Sequence, residues 1–147
     1  MNTNITRNRL AKYNLNGTLP APWDSNANGS VTTLAVSGNN IYAGGTFTTI
    51  ATLTTTYVVK LNKTTGAIGS WTTVTGGSVE DIEVNCSNIY LAGSFTSVGG
   101  NPRNRCAKVV ISTGAVSAFN PDFTSTFFPS VKPVIMFLKY DLPSTRM

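Results

Sequence analysis

At 147 residues the chain is long enough for one ordinary domain with a true core, and a 41% hydrophobic content excludes a disordered segment. Only 12% is charged and there is no histidine, which removes the commonest general base, zinc ligand and pH switch together. Of the net charge of +5, residues 124–147 supply +2 (Lys132, Lys139 and Arg146 against Asp141). No basic helix or basic–aromatic stripe accompanies the remainder, which argues against nucleic acid as a partner.

Taken in chain order, residues 1–6 are polar and lack the apolar stretch of a signal peptide, so the signal of a secreted protein would lie outside this chain. The next feature is periodic. Shifted by 48 residues the sequence lands on itself: Lys12, Lys60 and Lys108 coincide, as do Trp23, Trp71 and Phe119. Between 31–71 and 79–119, 12 of 41 positions are identical without a gap. They include Val31/Val79, Ile41/Ile89, Tyr42/Tyr90, Gly45/Gly93, Phe47/Phe95 and Gly66/Gly114. Arg7-Asn8-Arg9 returns as Arg103-Asn104-Arg105. Chance does not hold one offset across three segments.

A period of 40–50 residues built from four short strands is the propeller range. Residues 31–36, rich in β-branched side chains, read as a first strand, and Ser37-Gly-Asn-Asn40 as a turn tolerant of positive φ. Residues 40–45, 57–61 and 67–71 read as the next three strands, with a longer polar loop after Gly45. The following segment repeats this at 79–84, 88–93, 105–111 and 115–119. Residues 1–30 hold half a unit, its outer two strands near 9–15 and 19–23. No apolar stripe has helical spacing, so helix is expected to be absent. The expected fold is all-β, a partial β-propeller of about two and a half four-stranded blades, divided as 1–30, 31–78, 79–123 and a tail at 124–147. A propeller closes with typically 4–8 blades, so further blades of the same protein are expected partners, and unpartnered apolar faces would meet water or another chain.

After Phe123 the period is lost. The template asks for an apolar residue at 130 and Gly-x-Phe-Thr at 141–144, whereas the chain has Ser130 and Asp141-Leu-Pro-Ser144. The tail is either a divergent cap or the product of a frame change. Its apolar run, Val134 to Leu138, is the longest in the chain and far too short for a membrane span.

The string Leu34-Ala-Val-Ser-Gly-Asn-Asn-Ile-Tyr-Ala-Gly-Gly-Thr-Phe-Thr48, followed by Lys60-Leu-Asn-Lys-Thr-Thr-Gly-Ala67 and Trp71, resembles a family of bacterial β-propeller repeats of unknown function, kelch-like and of the delta-60 type. The resemblance covers about residues 7–123; Ala92 departs from it by replacing the first glycine of the doublet. It implies a scaffold or interaction module in a larger secreted or cell-surface protein, and carries no catalytic residues to transfer.

Individual motifs add little chemistry. Gly44-Gly45 and Gly99-Gly100 lack the following helix and the Lys or Ser/Thr of a phosphate loop. Cys86, in the turn position of Gly38, and Cys106, near the start of a third strand, are too far apart along the strand for a disulfide and are expected as free thiols. Glu80, Asp81 and Glu83 form the one acidic cluster, weak candidates for Ca²⁺ or for paired-carboxylate glycoside chemistry, though strand alternation turns Glu80 away from the other two. Arg7, Arg9, Arg103 and Arg105 precede or open a third strand, where they either form a basic rim for a protein or glycan ligand or bind loop carbonyls of a neighbouring unit. The expectation is therefore a non-enzymatic structural or interaction module with no cofactor. The alternative is a glycan-binding or carbohydrate-processing propeller with its site mostly in other blades.

Overall fold

The computed structural model describes residues 7–20, 23 and 25–123. The expectations for the 124–147 tail lie outside the described residues. Twelve strands are present among the described residues, and no helix. They are β1 (Val31–Ser37), β2 (Asn40–Gly45), β3 (Thr49–Ile50), β4 (Leu53–Thr54), β5 (Val58–Asn62) and β6 (Ile68–Gly69). Then come β7 (Val74–Thr75), β8 (Val79–Asn85), β9 (Asn88–Gly93), β10 (Ser97–Val98), β11 (Asn101–Pro102) and β12 (Cys106–Val110). The chain is all-β, built of several small antiparallel sheets.

The largest sheet is a meander in the order β1-β2-β5-β6. β-branched residues at Val31, Thr32, Thr33 and Val36 favour the first strand, and Gly38, at φ 55°, makes the tight reversal. β1 and β2 pair from Ser37↔Asn40 to Val31↔Gly45, with a bulge between Val31 and Thr33. β5 then pairs with β2, Asn40 opposite Asn62 and Gly44 opposite Val58. The next sheet, β8-β9-β12, repeats this register with its bulge between Val79 and Asp81.

Three expectations need correction. The fourth strands are short: β6 has two residues, and in the next segment only the bridge Val109↔Val116 remains, because Gly69-Ser70 and Ser117-Ala118 are poor strand formers. Residues 9–15 form no strand. β5 and β12 each lie beside a second strand, but 9–15 have none beside them among the described residues, and Asn14–Thr18 folds into a turn instead. The described part of 19–23 is also not strand, and Pro20 and Pro22 remove two ladder donors there. Finally, the polar loop after Gly45 contains the hairpin β3/β4, and its counterpart β10/β11 extends to a three-stranded sheet with β7.

Hydrogen bonds outside the ladders recur at the same 48-residue offset. Thr46 N–H donates to Ser30 C=O at 2.9 Å, and Ser94 to Ser78 at 3.0 Å. Tyr57 donates to Phe47 and accepts from Gly45, and Arg105 does the same with Phe95 and Gly93. These bonds hold an unfavourable backbone, since Tyr57 and Arg105 have φ of 61° and 65°. A left-handed residue with a side chain costs roughly 1–2 kcal/mol, and here both of its backbone polar groups are satisfied in compensation.

Two apolar cores lie on opposite faces of the β1-β2-β5-β6 sheet. On its front face Ile41, Ala43, Val59 and Leu61 pack with Leu10, Trp23, Phe47 and Ile50. On its back face Tyr42 and Val58, with Trp71, pack against Ile89, Leu91, Phe95, Val98, Ala107 and Val109. The second core holds the residues 48 positions beyond those of the first: Val58 for Leu10, Trp71 for Trp23, Leu91 for Ala43, Phe95 for Phe47 and Val98 for Ile50. The indole of Trp23 lies against the turn at Gly66 and that of Trp71 against Gly114, each glycine at φ 72–73°.

Candidate functional site

The arginines proposed from the sequence sit at the corners leading into residues 10 and 106. Arg9 Nη1 donates to Ala27 C=O at 2.8 Å. Arg103 Nη1 and Nη2 donate to Pro102 C=O and Ser117 C=O, each at 2.7 Å. These guanidinium groups tie the corner to the connecting segment that follows. Arg7 and Arg105 occupy the same two positions of the motif, half-buried and with partners of their own. The intervening asparagine completes the likeness: Asn104 Nδ2 donates to Asp122 Oδ1 at 2.6 Å, and Asn8 N–H reaches Asn26 Oδ1 at 3.4 Å. Asn26 and Asp122 share a positive φ, of 26° and 43°. In the middle segment Thr55-Thr56-Tyr57 replaces Arg-Asn-Arg, and Thr55 Oγ1 donates to Val58 C=O instead. These bonds of Arg9 and Arg103 are thus internal, to carbonyls of the corner and its neighbouring loops.

The carboxylates lie on β8. Asp81 stands opposite Ala92 and Glu83 opposite Tyr90, so alternation puts both on the back face of that sheet. Glu80 falls in the bulge, outside the regular pairing. All three are half-buried. Among the described residues no group of three or more His, Cys, Asp or Glu side chains is placed to hold a metal ion. Beside Glu83, the Tyr90 ring meets Phe119 edge-on at 5.9 Å and lies 5.8 Å from the Lys108 ammonium, within reach of a cation–π contact.

Cys86 is exposed in the turn and Cys106 is buried, both as free thiols. Burial pushes the Cys106 thiol up to about 11, so at neutral pH it is protonated and a poor nucleophile.

The first strands of adjacent segments meet directly. Thr32 Oγ1 donates to Val79 C=O at 2.8 Å, and Ile82 N–H donates to Thr33 Oγ1 at 3.2 Å. The approach is close: a methyl on Gly44 would lie 2.6 Å from Val79 Cγ1. The periodicity identified the strands but not which of their faces stay open. Leu34 and Val36, on the front face of β1, are 52% and 57% exposed, whereas Ile82, at the position of Leu34, is 4% exposed.

Among the described residues no helix is long and apolar enough to cross a membrane. Compared with known proteins, the chain matches no family model, no curated protein and no solved structure.

Proposed function

We propose that this chain is a non-enzymatic structural or interaction module whose 48-residue units are blades of a β-propeller within a larger, secreted or surface-associated protein. The observation that carries the proposal is the recurrence, across two successive junctions, of one set of core positions from Leu10/Val58 to Ile68/Val116. The β1-β2-β5-β6 sheet receives the segment before it on one face and the segment after it on the other. The meander order and the side-by-side first strands fit blades around an axis. The arginine bonds to carbonyls fit a scaffold role.

The test is to lengthen the array. Extra copies of residues 31–78, inserted one at a time before residue 31, should raise the melting temperature until the ring closes at 4–8 units and then level off. A steady rise with every added copy would indicate an open stack, whose stability sums over neighbours, and would remove the propeller. Chromogenic glycosides should be left intact; turnover abolished by Asp81→Asn would overturn the non-enzymatic role.

A further inference from the structure

We propose that Asn16-Gly17 is a self-modification site, where the chain converts its own asparagine to aspartate or isoaspartate, and that the fold withholds the same reaction from Asn28-Gly29.

These are the two Asn-Gly steps of the sequence. A glycine nitrogen reaches the preceding side chain readily, because no Cβ obstructs it. The Gly17 nitrogen, its proton taken by base, attacks Asn16 Cγ. The Cγ–Nδ2 bond breaks, the amide nitrogen leaves as ammonia with a proton from water, and a cyclic imide remains. Water then opens the imide at one of its two carbonyls and leaves a carboxylate in place of the amide.

Exposure does not separate the two sites, since Asn16 and Asn28 are both exposed. Polarisation does not either. Thr18 donates to Asn16 Oδ1 from its N–H at 3.1 Å and from its hydroxyl at 2.7 Å. Asn28 Oδ1 accepts from Thr48 and Thr49 N–H at 2.8 and 2.9 Å. In each case two donors face the oxygen that gains negative charge during attack. The difference lies in freedom of movement.

Asn28 ties two segments together. Beyond those two bonds its Nδ2 donates to Thr48 Oγ1 at 2.9 Å and its N–H to Thr49 C=O at 3.2 Å. Gly29 is clamped: a methyl there would lie 2.7 Å from Phe47 N and Cα. Ser30 and Thr46 exchange two further bonds, of 3.0 and 2.9 Å. Swinging the Gly29 nitrogen onto Asn28 Cγ requires residues 28–30 to leave 46–49. The bonds of the 14–18 turn instead run within it. Asn14 N–H donates to Thr18 C=O and Gly17 N–H to Asn14 C=O, both at 2.9 Å, and Asn14 Nδ2 donates to Thr18 Oγ1 at 2.9 Å. Leu15 at its tip is fully exposed, and nothing lies within 4 Å of where a Gly17 side chain would begin. The corresponding turns of the later segments, 62–67 and 110–115, are one residue longer and carry Gly66 and Gly114 against Trp23 and Trp71. The 14–18 turn can therefore open alone, at the low end of local stability. Either product adds a negative charge to a basic chain, and isoaspartate also adds a backbone carbon that shifts Asn14 and Thr18 out of register.

The reaction is local and holds whether or not the units close into a ring. The experiment is long incubation of the full chain at mildly alkaline pH, folded and in urea, with fragment mass spectrometry to place each amide-to-acid conversion. In the folded chain Asn16 should convert at least about tenfold faster than Asn28, the protection expected when opening must break several additional bonds. In urea the two rates should come together. Asn16→Gln, whose longer side chain would need a larger and slower-forming ring, should remove most of the ammonia that the folded chain releases. Equal rates at the two sites in the folded chain would overturn the proposal, as would an Asn16 that converts only in urea. So would a folded chain whose ammonia release is unchanged by Asn16→Gln.

Discussion

Segments 31–71 and 79–119 share a strand register down to the bulge after the first residue, yet the same positions meet different surroundings. Leu34 and Ile82 are both branched aliphatic residues at the same point of a first strand, one 52% exposed and the other 4%. Tyr42 is fully buried on its back face with Trp71 at 4.8 Å, while Tyr90 is half-buried beside Phe119. The strand pattern decides which way a side chain points, and the neighbouring segment decides whether it is buried. At Leu34 and Ile82 burial is a property of the junction.

The sharpest way to break that contrast is one substitution made in both places. Ile82→Asp puts a carboxylate into the core between the two sheets and should cost more than about 4 kcal/mol, enough to unfold a marginal domain. Leu34→Asp adds the same charge to an open face and should cost under about 1 kcal/mol. Urea titration of both variants measures the difference. Equal losses would show that the front face of β1 is covered in solution and that the two positions are alike.

A smaller effect is expected where β2 and β9 differ by one methyl. Gly44→Ala should cost about 1–3 kcal/mol, because the new methyl would lie 2.6 Å from Val79 Cγ1 and 2.9 Å from Thr33 Cγ2. Ala92 carries that methyl at the equivalent point, where no further first strand packs on it among the described residues. A harmless Gly44→Ala, read by thermal melting, would mean that β1 and β8 can move apart freely.

Much of this frame is legible in the sequence. β1, β2, β5, β8, β9 and β12 fall within a residue or two of where β-branched runs and Gly/Asn turns place them, since long alternating strands leave a strong pattern. The hairpin strands β3, β4, β10 and β11 have two residues each, too few to show alternation, and they read as a polar loop. Residues 9–15 fail for another reason: their similarity to β5 is real, but a strand needs a partner, and pairing is not a local property. The arginine motif is visible as Arg-Asn-Arg spacing. That Arg9 and Arg103 spend donors on Ala27, Pro102 and Ser117 depends on backbone curvature that no spacing encodes.

The two positions that open the third strands, Val58 and Cys106, differ in a way that pH exposes. Burial raises the Cys106 thiol to about 11, so the folded chain holds its proton where the unfolded chain has lost it. Stability from this group is therefore intact below the ordinary thiol range and is lost as pH climbs from there to about 11. Cys106→Val, which copies the earlier segment, should flatten the alkaline side of the stability profile and leave neutral pH little changed. An unchanged alkaline slope would show that Cys106 ionises freely and is not held in the core.

The smallest contrast lies in the first-strand turns. Gly38 and Cys86 occupy the same place at φ 55° and 50°, and nothing lies within 4 Å of where a Gly38 side chain would begin. Packing therefore cannot separate the two turns, and the left-handed backbone alone distinguishes them. A side chain there costs roughly 1–2 kcal/mol. Glycine avoids this but gives back part of the gain through the greater freedom of its unfolded chain. Cys86→Gly should thus stabilise the protein by about 0.5–1 kcal/mol, a rise of a few degrees in melting temperature. Gly38→Cys should lower it by a similar amount, and the double variant should return close to wild type, because the turns belong to different sheets. A loss of stability in Cys86→Gly would mean that the cysteine side chain holds its turn through an interaction that the glycine turn does without.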